Sequence, residues 1–155
     1  MAGGLIQFSK FASLYNRSDE TRSVSLAEIK VLEDALKIKL PDDFKLFMQT
    51  YGSLWTPDIL DIIVDNDIDM HDIQQFWPPD EIIEDKKSGI TNQIELEDLI
   101  PFASDCMGNI YAFKTNDIRV SKPTATVYFF DLDFNENQIV AQSFTELIEE
   151  FNALT

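Results

Sequence analysis

His71 and Cys106 are the only histidine and the only cysteine in the chain, so any Ser/His/Asp or Cys/His relay would have to use His71. A Ser/His/Asp or Cys/His arrangement needs an imidazole held against its nucleophile, and His71 sits instead in a run of carboxylates. Neither GxxxxGK(S/T) nor GxGxxG occurs, which leaves no support for phosphate cradling by these loops. With 28 acidic residues, close carboxylate pairs arise by chance and do not single out an acid/base couple. Asp65-Asn66-Asp67-Ile68-Asp69 alternates oxygen ligands like the start of an EF-hand loop. Met70 then replaces the sixth-position glycine and Phe76 the twelfth-position glutamate. The run from Asp131 fails in the same way, with Glu136 and Gln142 at those positions. The expectation is a chain without catalytic activity, bound metal or cofactor.

What remains is chemistry of recognition. No Lys or Arg lies between Lys45 and Lys86, while Asp58, Asp61, Asp65, Asp67, Asp69, Asp72, Asp80, Glu81, Glu84 and Asp85 all fall there. Trp55, Phe76 and Trp77 are interleaved with them. Carboxylates speed encounter with a basic surface, and buried aromatic anchors slow dissociation. Trp55, Asp58, Asp61, Asp65, Asp67, Asp69, Asp72 and Trp77 are therefore the expected partner-binding residues, against the simpler alternative of a solvated rim over two core tryptophans.

The elements that must position these residues are written in the spacing of apolar side chains. Residues 40–52 read as one punctuated helix: Pro41 at its start, Asp42 and Asp43 in its first turn, and Gly52 at its end. Phe44, Phe47, Met48 and Tyr51 fall on one face, which makes this helix the expected centre of packing. Ser25 and Glu28 form a capping box before a stripe of Leu26, Ile29, Leu32 and Leu36. Leu5, Phe8, Phe11, Ala12 and Tyr15 predict an N-terminal helix docked on the outside of the core, followed by a polar loop at residues 16–23.

Past Gly52, Leu60, Ile62 and Val64 alternate with Asp61, Ile63 and Asp65 as in a strand, although Ile59, Ile62 and Ile63 could also line a helix turn. Residues 65–72 read as an acidic loop and 73–76 as a short strand, and Pro78-Pro79-Asp80-Glu81 marks the start of a helix running to Gly89. Strands are expected around Leu99, Ile100 and Phe102, with Pro101 confining that segment to an edge or a strand end, and over Ile110–Lys114 and Val127–Asp131. Residues 139–141 would pair with the last of these. Ser143 and Glu146 form a second capping box before a helix bearing Phe144, Leu147, Ile148 and Phe151 on one face. Helices, then strands, then a helix make an α+β domain with an antiparallel-rich sheet.

Length and charge set the remaining bounds. A chain of 155 residues that is 45% hydrophobic supports one domain with a real core. A formal charge of −16 repels nucleic acid and anionic membranes and attracts basic protein surfaces. The single cysteine points to a reducing compartment, no apolar run reaches the length of a membrane span, and the first residues lack a secretory pattern. Ala2 also breaks the N-myristoylation pattern. A cytoplasmic location is expected.

Leu40-Pro41-Asp42-Asp43-Phe44 with Phe47 and Tyr51-Gly52 resembles the early signature of the SUKH superfamily. Leu99-Ile100-Pro101-Phe102-Ala103-Ser104-Asp105 with Gly108-Asn109-Ile110-Tyr111 resembles its middle segment. Val127-Tyr128-Phe129-Phe130-Asp131 and Ala141-Gln142-Ser143-Phe144-Thr145-Glu146-Leu147 resemble its closing strand and helix. The resemblance implies a single SUKH-like domain over residues 25–155, preceded by a helical extension at 1–24. Its antiparallel-rich mixed sheet would pack against the N-terminal helices and a C-terminal helix. It also implies a non-catalytic role, most often that of a bacterial immunity protein that binds and neutralises a polymorphic toxin, here a basic and nuclease-type one. The superfamily includes a fungal cell-wall assembly regulator too, so a regulatory interaction domain without a toxin partner is the alternative. A monomer or weak dimer is expected.

Overall fold

The computed structural model describes residues 2–19 and 23–155. Three helices come first: α1 (Ala2–Tyr15), α2 (Leu26–Leu36) and α3 (Asp42–Tyr51). They are followed by α4 (Asp58–Asp65), β1 (Gln75–Phe76) and α5 (Pro79–Ser88), then by β2 (Leu99–Ser104), β3 (Ile110–Lys114), β4 (Val127–Asp131), β5 (Glu136–Ala141) and α6 (Phe144–Asn152). The five strands form one sheet in the order β1-β2-β3-β4-β5, antiparallel at every pairing and so not mixed. Residues 16–19 of the expected polar loop have no helix or strand, and 20–22 lie outside the described residues. Among the described residues no helix is long and apolar enough to cross a membrane.

Strand alternation divides the sheet into two apolar faces. Ile100, Phe102, Tyr111, Phe113, Val127 and Phe129 face the main core with α1, α3 and α6. Leu99, Ile110, Ala112 and Phe130 face the other way, where Leu96, Trp77, Ile90 and Leu132 close over them. Phe47 of α3 is the hub of the main core: its ring lies 5.3 Å from Phe8, 5.1 Å from Phe76 and 4.9 Å from Phe144. Gly52 ends α3 with a φ of 68°, a conformation that costs a side-chain-bearing residue and not glycine.

Three expectations need correction. The N-terminal helix is not on the outside: Phe8, Phe11 and Tyr15 are fully buried, and the Tyr15 hydroxyl donates to the Phe151 carbonyl at 2.6 Å. Residues 58–65 are helix and not strand, because Ile59 and Ile63, one turn apart, are the pair that reaches the core. Pro101 does not lie in the outermost strand. It is tolerated because β1 reaches only Ala103 and Ser104, and a bulge between Pro101 and Ala103 interrupts the β2–β3 register there.

Candidate protein-binding surface

Trp55 is fixed from both sides of the chain. Its carbonyl accepts from the Arg17 backbone N–H at 2.8 Å, and it forms an antiparallel bridge with Gln75. Thr56 extends this pairing, donating its N–H to the Gln74 carbonyl at 2.6 Å and its hydroxyl to the Ile73 carbonyl at 2.7 Å. Residues paired across a sheet share a face, as do residues two apart, so Trp55, Gln75 and Trp77 lie on the side opposite the buried Phe76. Trp55 remains 48% exposed, whereas Trp77 is half-buried and donates its indole N–H to the Ser104 hydroxyl at 3.4 Å.

The eight expected residues separate into distinct environments. Asp61 and Asp65 are exposed on α4, and Asp67 and Asp69 are exposed on the turn that follows. Asp67 takes a left-handed φ of 52°, which an aspartate tolerates better than most residues. None of these four has an ion-pair partner among the described residues. Asp58 differs, since the Arg17 guanidinium reaches it at 2.7 Å and brings a cation into a stretch that has none in sequence. Asp72 is buried: its carboxylate accepts the Cys106 backbone N–H at 3.1 Å, and its carbonyl accepts the Tyr111 hydroxyl at 2.9 Å. Burial first, then the neighbouring Asp105 charge, raises its carboxyl above the ordinary range against the opposing pull of Cys106. Asp72 is thus a structural tie between the end of the acidic loop and the β2–β3 turn.

Asp85, at the far end of the acidic stretch, also turns inward. It accepts the backbone N–H of Ile90 at 2.8 Å and both the N–H and hydroxyl of Thr91. The exposed acidic surface is therefore concentrated on α4 and its following turn, with Asp80, Glu81 and Glu84 exposed separately on α5.

A feature that the sequence did not reveal lies beside this surface. A groove of about 600 Å³ opens between residues 68–71, β5 and α6, with Asp69, His71, Tyr111, Gln138, Leu147 and Glu150 among its lining residues. Its floor follows the sheet register: Tyr111 pairs with Phe129 and Phe129 with Gln138, one row across β3, β4 and β5. The His71 ring stacks flat on Phe129, with centroids 3.8 Å apart and planes 12° apart. These residues are scattered through the chain, so only the folded register assembles them.

His71 packs its ring on Phe129, while Cys106 is exposed in the β2–β3 turn. His71 and Cys106 make no hydrogen bond to one another among the described residues. Burial, reinforced by Asp72 and Asp105, pushes the Cys106 thiol up to about 11, so it stays protonated and weakly nucleophilic near neutrality. Asp65, Asp67 and Asp69 do not converge: among the described residues no three acidic, histidine or cysteine side chains are grouped to hold a metal ion. What the arrangement can do is present carboxylates and an aromatic side chain to another protein.

No curated protein matches the chain. The family model of the SMI1/KNR4 family (SUKH-1) matches residues 23–150, from just before α2 to within α6. That span carries α3, all five strands and the acidic surface, and by it the chain belongs to the SMI1/KNR4 (SUKH-1) family.

Proposed function

We propose that this chain is a non-catalytic immunity protein that binds and neutralises a cognate basic toxin of the nuclease type. The observation that carries the proposal is the exposed carboxylates of Asp61, Asp65, Asp67 and Asp69, without ion-pair partners among the described residues, together with the exposed Trp55 on a SUKH-1 domain. A nuclease must expose positive charge to hold its phosphate backbone, and a dense carboxylate surface competes for that same charge. Attraction steers the encounter, and Trp55 supplies apolar area at the contact. The protein works in the cytoplasm as a monomer or weak dimer, because copies that each carry −16 repel one another. The SUKH-like unit runs from residue 25 to 155, and the extension before it carries α1 (Ala2–Tyr15), which folds onto its core.

Co-expression with the toxin encoded by the neighbouring gene tests this. Growth should be rescued by the wild-type chain, and rescue should weaken when Asp61, Asp65, Asp67 and Asp69 are all changed to Lys. Undiminished rescue by that variant would remove the surface from the mechanism, and absence of any toxic neighbour would remove the toxin. The second reading, a regulatory protein-interaction domain of the same fold, is favoured by the SMI1/KNR4 match itself. Recurrent capture of one non-toxin partner, confirmed with purified proteins, would select it.

A further inference from the structure

The groove beside β5 has walls of opposite character to the partner expected for this protein. Asp69, from the 68–71 segment, and Glu150, from α6, both line it, and among the described residues no Lys or Arg does. Neither carboxylate has an ion-pair partner among the described residues. His71, its ring stacked on Phe129, lines the groove too, above the buried Tyr111 and Leu147. Such a site offers a planar cation two carboxylates and a flat ring surface together, which suits guanidinium better than a compact ammonium.

The rim of the groove adds a second, independent feature. β5 ends the sheet order, and among the described residues no strand pairs with its outer edge. Its first four residues are exposed and carry one charge, Glu136, which repels another acidic edge and not a basic occupant. The opposite edge is different: β1 has only two residues, and the Trp55 bridge and the 54–56 segment cover it. An open strand edge accepts an extended peptide by main-chain hydrogen bonding, and the adjoining pocket then selects a side chain. A second copy of this chain would bring another −16 and place carboxylates against carboxylates, so charge selects a basic occupant.

We propose that an extended, arginine-bearing segment of the partner protein adds along the free edge of β5 and seats its arginine side chain in the groove between Asp69 and Glu150. This rests on the reading of the protein as a binder of a basic partner. It adds a second, specific contact in the groove to the surface of α4 and its following turn, with Asp69 shared by the two.

The test uses the full chain and the peptide acetyl-Gly-Ser-Gly-Arg-Gly-Ser-Gly-amide, with lysine and glutamate versions for comparison, followed by amide chemical shifts and hydrogen exchange. Expected are shifts centred on Asp69, His71, Gln138 and Glu150, slowed exchange along β5, and an order of preference of arginine, lysine, glutamate. The exposed pair change D69N/E150Q, checked for unaltered circular dichroism, should weaken arginine-peptide binding at least fivefold. Shifts spread evenly over α4 and α5, unchanged exchange in β5, or equal binding by the double variant would overturn the proposal. The peptide experiment needs no toxin. Groove binding alongside failed growth rescue would keep the groove and discard the toxin, and rescue without groove binding would do the reverse.

Discussion

Asp43 shows how one buried carboxylate can join two elements distant in sequence. It is fully buried at the start of α3, where one oxygen accepts the Phe44 N–H at 2.8 Å. The other accepts both the N–H and the hydroxyl of Thr145, each at 3.0 Å, across the start of α6. Replacing Asp43 by Ala should cost about 2–4 kcal/mol in denaturant unfolding, because three donors lose their acceptor inside the core. Lys86 is the cationic counterpart. Its ammonium lies within hydrogen-bonding reach of the carbonyls of Thr91, Leu96, Glu97 and Leu99, and burial pulls its pKa below the ordinary value. Lys86→Met should destabilise by about 2–3 kcal/mol, since the stem packs but the carbonyls lose their shared donor. The sequence showed Asp43 as a first-turn acid favoured by the helix dipole, and no local pattern could show Thr145 as its partner. The same limit hid the inward turn of Asp72 and Asp85: carboxylates look alike in sequence, and tertiary donors decide which are buried.

At the level of elements, periodicity read the fold well wherever one face dominated. β3 and β4 lie where β-branched and aromatic residues placed them, and the Ser25 and Ser143 side chains cap α2 and α6 as expected. At Ser143 the box is modified, because the Glu146 carboxylate accepts from the Gln142 N–H and not from the cap residue itself. α4 was ambiguous because five apolar residues in a stretch of eight satisfy both a period of two and a period of 3.6. Its burial chose the helix. α1 was misplaced because an amphipathic helix reports that it has an apolar face and not how deep that face goes. Phe11→Ala should therefore cost about 3–5 kcal/mol, the price of an aromatic deletion in a core, and not the fraction expected of a loosely docked helix. The end of α5 gives a second element-scale expectation. A Cβ on Gly89 would lie 2.8 Å from the Asp85 Cα, so Gly89→Ala should lower stability by about 1–3 kcal/mol although the residue is exposed.

For the whole molecule, the formal charge of −16 bears on stability. Burial raises the carboxyls of Asp43, Asp72, Glu81 and Glu150, with neighbouring acids adding to the last three. A carboxyl raised on folding binds its proton more tightly in the native state. Stability therefore falls as pH climbs from the ordinary values of 3.8 for Asp and 4.5 for Glu through the raised native ones. Calorimetry should show the thermal midpoint rising as pH is lowered from neutrality into that window, and added salt at neutral pH should act in the same direction by screening self-repulsion. The acidic stretch itself was legible in the sequence, because the interval between Lys45 and Lys86 holds ten acids and no cation. The groove was not, because it needs the register of three strands and the approach of two other segments.

The central claim is that this SUKH-1 domain recognises a basic protein through α4 and the turn after it. Isothermal titration of the purified chain with the toxin encoded by the neighbouring gene measures it directly, for the wild type and for a variant with Asp61, Asp65, Asp67 and Asp69 changed to Asn. A stoichiometric complex, at least tenfold weaker for the variant or about 1.4 kcal/mol, is the expected result. No heat of binding, or equal affinity for the two proteins, would contradict it.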